Sequence, residues 1–324
     1  MTESRPSRLL IVLAFAAVYI LWGSTYLAIR YTIETVPPFL AAAIRFLIAG
    51  GILFTWSGLN GEKIRPSFTQ WRRALIVGGL LLLCGNGGVS WAEKYIASGL
   101  AALLVASEPL WVVMLNWGLS RKRPNAMVLL GVFIGLAGVA LLVSDTLRRV
   151  EAGSWMNLAG AGVVIVAALS WAGGSVYASR RPMKASTSMI SGMQMLAGGA
   201  LLLVPALIAG DFKQVSLTDT SWVSIGALAY LIVFGSLVGF TSYSGLLRNV
   251  TPARATTYAF VNPVVAVLLG WLIASEPLTA RMFIAAIVIV GSVALITTFG
   301  GEHATPTTAP NSAHDSDCPT HPCA

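Results

Sequence analysis

The sequence predicts an all-α integral membrane protein with ten transmembrane helices, arranged as two inverted five-helix repeats. Three observations predict this fold: a composition too apolar for water, ten apolar runs of membrane-spanning length, and an ordered series of residues shared by the two halves. Of the 324 residues, 56% are hydrophobic and 10% are charged, whereas soluble domains usually carry about 25% charged residues. A chain this long with so few charged side chains cannot cover a water-exposed surface, so its solvent is the lipid bilayer.

Each of the ten apolar runs approaches the length that a membrane helix needs. A hydrocarbon core of about 30 Å is crossed by roughly 20 apolar residues in a helix. The first run is too long, and too closely followed by the second, to be a cleaved signal peptide. The predicted spans in chain order are Leu9–Ile29, Phe39–Leu59, Ala74–Trp91, Ala97–Leu119, Ala126–Ser144, Asn157–Ser179, Ser188–Ala209, Trp222–Leu247, Ala255–Ala274 and Met282–Phe299.

The basic residues between the spans predict the orientation, because cytoplasmic loops carry an excess of Lys and Arg. With a cytoplasmic N-terminus, fourteen Lys and Arg fall inside and six outside, so both termini are predicted to be cytoplasmic. This distribution explains the net charge of +8 as a topology signal, and no nucleic-acid partner is expected. The outside residues are Arg30, Lys94, Arg148, Arg149, Lys213 and Arg281.

Three short segments lie outside the two repeats, which span residues 9–144 and 157–299. Residues 1–8 are predicted to form a cytoplasmic N-terminus, residues 145–156 a periplasmic connector, and residues 300–324 a disordered cytoplasmic tail. All histidines lie in this tail, so the membrane region has no histidine metal site. Cys318, His321 and Cys323 lie in a polar stretch with no core to organise them, and we expect neither a metal nor a cofactor.

The two halves of the chain resemble each other in order. At an offset of 154 residues Gly85 aligns with Gly239 and Pro109 aligns with Pro263, and at an offset of 149 Trp22 aligns with Trp171. Each half has an odd number of predicted spans, so the second copy must enter the membrane from the opposite side. Inverted repeats of this kind favour alternating access around a site at their interface.

These residues resemble the EamA family of the drug/metabolite transporter superfamily over residues 9–299. The resemblance is carried by the start Leu21–Tyr26, by the prolines of the fourth and ninth spans, and by Ser275–Thr279 before the last span. Where the second repeat has Glu276-Pro277, the first has Lys122-Arg123. The resemblance implies a ten-helix carrier for small organic solutes, often an exporter of amino acids, their derivatives or other metabolites.

Two charged residues lie well within predicted spans, where a charge costs roughly 2.5–3.5 kcal/mol on insertion scales. Glu108 lies near the middle of the fourth span, and Arg45 lies about a third of the way into the second. As cavity residues, Glu108 would titrate with transport or contact a cationic group, and Arg45 would meet a carboxylate. Alternatively, the two side chains pair with each other or with backbone groups, or Arg45 snorkels to the interface.

Prolines follow a polar residue at equivalent depths of the two repeats, in Glu108-Pro109 and Asn262-Pro263. Proline removes a backbone donor and kinks a helix, and the freed carbonyls must face protein or water. We therefore expect both kinks to border the central pathway, with a packing kink as the alternative.

Aromatic and polar side chains share helix faces in several spans and predict a mixed wall suited to a partly apolar, zwitterionic solute. Ordinary packing between helices is the alternative interpretation. The candidate substrate-binding or pathway-lining residues, taken with the two charges, are Tyr19, Trp22, Tyr26, Arg45, Asn86, Ser90, Glu108, Trp171, Tyr258 and Asn262.

The predicted function is secondary transport of a small organic metabolite across the inner membrane by alternating access. The sequence contains no phosphate-binding loop for ATP, and protons are a candidate coupling ion through Glu108. A membrane-embedded enzyme would need clustered acids or histidines and a channel would need rings of like residues, so these are the weaker alternatives. The sequence leaves open the substrate, the direction of flux and the choice between monomer and homodimer.

A reporter fused after Phe299 should lie in the cytoplasm, because an even number of spans returns the chain to the side of its N-terminus. Paired alkaline phosphatase and fluorescent-protein fusions measure this location. A matched fusion after Lys94, in a predicted outside loop, should give the opposite result. A periplasmic signal after Phe299 would overturn the count of ten spans.

Overall fold

The computed structural model describes residues 7–62, 65–96, 98–142, 155–215, 219–274 and 279–300. Throughout these ranges the regular secondary structure is helical. Most of the predicted connector, the predicted tail and residues 275–278 of the motif before the last span lie outside them. The longer helices, numbered in chain order, are α1 Arg8–Ile33, α2 Pro38–Leu59, α3 Phe68–Ala92, α4 Ser98–Val105 continued by Glu108–Ser120, α5 Ala126–Leu142, α6 Trp155–Arg180, α7 Thr187–Ile208, α8 Trp222–Asn249, α9 Tyr258–Ala274 and α10 Ala280–Phe299. Two single-turn helices, Asp211–Gln214 and Pro252–Ala255, lie in the connections after α7 and α8.

Seven helices in the described part are long and apolar enough to cross a membrane, namely α1, α2, α3, α4, α6, α7 and α8. The helices α5 and α10 contain shorter apolar stretches, Ala126–Leu141 and Phe283–Phe299, and α9 has 17 residues. Large apolar side chains are exposed on each helix from α1 to α10, as expected where lipid is the solvent. The number of ten spans stays a prediction.

Serine caps explain why several helices begin where they do. Ser67 accepts a hydrogen bond from the Gln70 backbone N–H, and the Gln70 side chain accepts one from the Ser67 backbone N–H. Ser186 and Ser221 each accept one hydrogen bond from a backbone N–H in the first turn of α7 and α8. The cap at Ser67 starts α3 before the predicted Ala74, because reciprocal bonds satisfy the first turn even in a basic segment.

Arg30 was predicted in an outside loop, but it lies in the last turn of α1, which continues to Ile33. A basic side chain is favourable there, since the last turn of a helix exposes unpaired carbonyls.

Wide turns interrupt the third helix of each half. Residues Gly79–Gly87 of α3 and Leu231–Phe240 of α8 form π-helical segments. Such segments are rare and are frequent at functional sites. Their equivalent positions in the two halves agree with the repeat seen in the sequence.

The two prolines differ in their surroundings, although the sequence places them in register. The helix α4 is interrupted by a turn at residues 106–107, and Pro109 lies in the first turn of its second segment. Proline is tolerated at that position because its missing N–H would have no partner there. Pro263 lies inside α9, after the turn at residues 256–257. The interruption near Glu108 is therefore a break between two segments and not a kink within one helix.

Helix contacts occur in pairs that match the two halves. The helix α1 packs against α8 and α9, and its counterpart α6 packs against α3 and α4. The helix α2 packs against α8, and its counterpart α7 packs against α3. The equivalent helices α2 and α7 also pack on each other, and so do the equivalent helices α5 and α10. This pairing is what a pseudo-two-fold relation between halves requires, and the inverted arrangement stays a prediction.

Glycines bring α2 and α7 close together. A Cβ at Gly50 would lie 2.8 Å from the Leu196 backbone nitrogen and 3.0 Å from the Gly192 carbonyl oxygen. In lipid, where association lacks a hydrophobic driving force, such close approach supplies van der Waals contact. Gly131 and Gly135 likewise pack on α10 within the same chain.

Gly50→Ala should lower the free energy of unfolding by about 1–3 kcal/mol, because the added methyl group overpacks the α2–α7 contact. The adjacent Gly51→Ala is the matched control, since a Cβ there meets no atom within 4 Å. That control should be neutral or slightly stabilising. Thermal unfolding in one detergent measures both, and equal melting temperatures for the two variants would contradict the predicted contact.

Candidate functional site

A central cavity lies between helices of both halves. The empty space inside it, counted together with the part that opens to solvent, is about 640 Å³. Side chains of α1, α2, α3, α4, α6, α8 and α9 line it. The predicted site residues that line this cavity are Trp22, Tyr26, Arg45, Asn86, Glu108, Trp171, Tyr258 and Asn262.

Tyr19 and Ser90 do not line the central cavity, and their place along a transport pathway stays a prediction. The Tyr19 hydroxyl is 2.6 Å from Thr257 Oγ1 and packs with the core. Ser90 lines a smaller adjoining cavity.

Glu108 is the carboxylate of the central cavity and is 1% exposed. Tyr258 donates a hydrogen bond to its Oε2 at 2.6 Å, and its Oε1 has no hydrogen-bond partner. Glu108 begins the second segment of α4, where the unpaired N–H groups of a helix end favour a negative charge. One carboxylate oxygen, Oε2, is thus held by Tyr258, and the other, Oε1, has no hydrogen-bond partner.

Arg45 supplies the positive charge of the same cavity and is 5% exposed. Its Nε donates a hydrogen bond to Ser236 Oγ at 2.7 Å, and its guanidinium carbon lies 4.8 Å from the centroid of the Phe46 ring. It forms no ion pair with Glu108, whose hydrogen-bond partner is Tyr258. The structure therefore shows a buried Arg45 that is not paired with Glu108, while a purely structural role for the two charges stays the alternative to a role in the pathway.

Three acceptor oxygens from three helices are buried around the cavity without a hydrogen-bond partner in the described part of the chain. They are Oε1 of Glu108, Oδ1 of Asn86 and Oδ1 of Asn262. An unsatisfied buried polar group costs about 1–3 kcal/mol, so three around one cavity require an explanation. Tyr26 lies beside Asn262 in the same wall. Each of the three oxygens is an acceptor available to a donor in the cavity.

Four aromatic rings form a cluster at one end of the cavity, called here the ring cluster: Trp22, Trp171, Tyr243 and Tyr258. The Trp22 ring lies 5.5 Å from that of Trp171, 5.1 Å from that of Tyr243 and 4.7 Å from that of Tyr258. Tyr243 accepts a hydrogen bond from Trp171 Nε1 at 3.2 Å and shares one with Ser175 at 2.6 Å. These bonds fix the rings in place at the end of the cavity that the loop charges predict to be cytoplasmic.

Each of the two tryptophans packs on a glycine of the other half. A Cβ at Gly239 would lie 2.5 Å from Trp22 Nε1, and a Cβ at Gly85 would lie 2.7 Å from Trp171 Cε3. Trp22 also donates a hydrogen bond to the Gly235 carbonyl at 3.0 Å. The residues paired by the sequence repeat, Trp22 with Trp171 and Gly85 with Gly239, are therefore the ones that meet across the halves.

The smaller cavity extends the site toward the opposite end. It has a volume of about 230 Å³ and shares Ile29, Arg45 and Asn86 with the central cavity. Its other lining residues include Thr32 and Pro38, at the end of α1 and the start of α2. That end is the predicted extracytoplasmic side.

Sequence reasoning missed Ser236, Tyr243 and Glu93. Ser236 orients Arg45, and Tyr243 supports the ring cluster. Tyr243 lies one turn after Gly239, so the repeat could have drawn attention to it. Glu93 lies just past α3 near Tyr26 and Arg30, and both of its carboxylate oxygens are buried without a hydrogen-bond partner. As an acid at a span end, it resembled an ordinary loop residue.

Comparison with known proteins relates the chain to one family. The sequence model of the EamA-like transporter family matches residues 9–144 and again residues 158–298. An uncharacterized inner membrane transporter, YedA of Escherichia coli strain K12, is 39% identical over 287 residues, which cover 88% of this chain and 89% of the relative. The two matches, one in each half, agree with the internal repeat, and the predicted family resemblance is confirmed.

More distant relatives match over a similar share of this chain. An uncharacterized transporter of Bacillus subtilis, YoaV, is 22% identical over 86% of this chain and 94% of its own length. A WAT1-related chloroplastic protein of Arabidopsis thaliana is 25% identical over 86% of this chain and 67% of its own. One crystal structure superposes with a TM-score of 0.72 at 23% identity, covering 90% of this chain and 98% of that chain. At this identity, the likeness shows the fold alone.

Tyr258→Phe should lower the free energy of unfolding by about 1.5–3 kcal/mol, because the buried Glu108 carboxylate loses its hydrogen-bond donor. Tyr95→Phe is the matched control, since Tyr95 is 36% exposed. The control should stay within about 0.5 kcal/mol of wild type. Thermal unfolding in detergent measures both variants. An equal loss of stability in the two would show that the Tyr258 hydroxyl does not stabilise Glu108.

Proposed function

Because the chain belongs to the EamA-like transporter family, we propose that this multi-pass inner-membrane transporter carries zwitterionic metabolites, amino acids or their derivatives, through the central cavity. The observation that carries the proposal is the separation of Glu108 and Arg45. Both are buried in one cavity, and each is bound to a hydroxyl group instead of to the other. A solute with an ammonium group and a carboxylate would supply the missing partner to each.

The ammonium group would bind at the acceptor wall. Glu108 Oε1, Asn86 Oδ1 and Asn262 Oδ1 are three acceptors without partners, and an ammonium group has three donors. A hydrogen bond between two charged groups is roughly twice as strong as a neutral one. The wall therefore favours a primary amine over an apolar group of the same size.

The carboxylate would bind Arg45. A guanidinium has five donors in a planar fork that fits a carboxylate at two points. Ser236 accepts from Nε, and the ring of Phe46 lies beside the guanidinium carbon, which together fix the fork in place. A guanidinium group already held in one position loses less side-chain entropy on binding a carboxylate than a mobile one does.

The body of the solute would contact the aromatic wall between the two charged ends. The rings of Trp22, Trp171 and Phe240 line the cavity with the aliphatic Leu82 and Val105. Such a wall buries apolar area without demanding a specific hydrogen bond. The site would therefore accept several zwitterions and prefer those with apolar side chains.

We further propose that the ten helices form two inverted repeats that alternate access to this cavity. The ring cluster lies toward the predicted cytoplasmic end, and the smaller cavity lies toward the opposite end. The paired helix contacts and the two reciprocal tryptophan–glycine contacts support an exchange of roles between the halves. In the opposite state, the rings would part.

Glu108 is also the candidate for coupling to protons. It is the acidic residue among those that line the central cavity. A proton and an ammonium group would compete for its Oε1, so that binding of one would release the other. Proton entry would then drive solute out, and export is the direction that we expect.

The first test compares the metabolites of medium and cytoplasm in cells expressing wild type, Glu108→Gln, Arg45→Gln or no protein. Wild type should deplete one class of zwitterion from the cytoplasm, and both variants should abolish this. Arg72→Gln is the control, because Arg72 is exposed on the predicted cytoplasmic side and lines no described cavity. Identical profiles for all strains would contradict the proposed export.

The second test separates the two charged ends in proteoliposomes loaded with the solute found. Arg45→Gln should reduce uptake about tenfold or more, the effect of one lost charged hydrogen bond, and should spare a decarboxylated amine. Glu108→Gln should spare a deaminated acid in the same way. If each variant reduced uptake of all three compounds equally, the two residues would not bind separate ends of the solute.

A further inference from the structure

A second cavity lies between α3, α6, α7 and α8 and shares no lining residue with the central cavity. Its volume is about 410 Å³, including the space open to solvent. The guanidinium-bearing residues Arg73, Arg181 and Arg248 line it from three different helices or their ends. All three lie at helix ends that the loop charges predict to be cytoplasmic. We propose that this cavity binds a phosphate group, either of an acidic lipid or of a free phosphate anion.

The charge of the lining points to an anion. Three arginines meet at the cavity, and its described lining residues include no acid. Like charges close together repel each other, so an anion bound among them would be stabilising. Glu62, an acid of the same end, accepts a hydrogen bond from the Ser186 backbone N–H and does not line the cavity.

The backbone of the loop between α6 and α7 orients two of these arginines. Arg73 Nη1 donates to the Pro182 carbonyl at 2.9 Å. Arg248 Nη1 donates to the Ala185 carbonyl at 2.8 Å and to Thr187 Oγ1 at 3.2 Å. Because a guanidinium has five donors, Arg73 keeps donors for a ligand after binding Pro182.

Two polar side chains give an independent sign of a ligand. Gln194 is 4% exposed and Ser244 is 7% exposed, and both line this cavity. Within the described residues neither side chain has a hydrogen-bond partner, and neither is among the fully buried unpaired polar groups, so their polar atoms are open to the cavity. An amide and a hydroxyl beside three arginines match the several acceptor oxygens of a phosphate group, which arginine binds at two points.

Two sources supply this chemistry at the inner membrane surface. Anionic lipid headgroups are recognised by basic pockets between membrane helices on the cytoplasmic side. A free phosphate group, alone or on a metabolite, would reach the same cavity from the cytoplasm. Both sources would place the phosphate oxygens against the same three arginines.

The test uses full-length wild type, Arg181→Gln, Gln194→Glu and the control Arg72→Gln, which removes an exposed arginine beside Arg73. Equilibrium dialysis of delipidated protein with radiolabelled inorganic phosphate measures the free anion. Native mass spectrometry after reconstitution with phosphatidylglycerol or phosphatidylcholine measures retained lipid. Arg181→Gln should weaken binding about tenfold, as one charged hydrogen bond is lost, and Arg72→Gln should not.

Gln194→Glu keeps the shape of the side chain and adds a carboxylate next to the arginines. It should abolish phosphate binding and raise the melting temperature, because its carboxylate would take the place of the phosphate beside the arginines. If the variants at Arg181 and Gln194 change only the retention of phosphatidylglycerol, the ligand is a lipid. If they change only the binding of inorganic phosphate, the ligand is a free anion. If neither ligand responds to either variant, the cavity is not a phosphate site.

Discussion

The centre of the molecule depends on one contact that is made twice, between a tryptophan of each half and a glycine of the other. Trp22 packs on Gly239 and Trp171 packs on Gly85, at distances that leave no space for a Cβ. Both glycines lie in wide π-helical turns, which bring the backbone of α3 and α8 against the rings. The ring cluster and the central cavity both lie at these contacts between the halves.

The bilayer imposes the second constraint, because a buried charge must have partners or a ligand. The charged side chains of the central cavity, Glu108 and Arg45, both belong to the first half, and their hydrogen-bond partners Tyr258 and Ser236 both belong to the second. The two charges are therefore kept apart by the other half, and the space between them lies at the interface of the repeats. A relative movement of the halves would change the surroundings of both charges at once, as a carrier requires.

Much of the fold and part of the site could be predicted from the sequence. Lipid requires apolar runs of a set length, so the helices appear close to the predicted spans, except where a cap at Ser67 or the basic end at Arg30 extends one. Glu108 and Arg45 were identifiable because charges are rare in such runs. Three findings depend on packing and wide turns that no local pattern encodes: the lack of an ion pair between Glu108 and Arg45, the position of Tyr19 and Ser90 outside the central cavity, and the contribution of Tyr243.

By itself, the sequence determined the membrane class, the family, the duplication and the residue types available for a site, since composition, length and repeated order are properties of the chain. Only the tertiary structure decided which of these residues meet. Pairing between Glu108 and Arg45 was as compatible with the sequence as their separation, and three arginines far apart in the chain became one cavity lining only through packing. The physical reason is that distances between helices are set by side chains at their contacts, above all by the glycines of α2, α3, α7 and α8, and not by the residues that carry the chemistry.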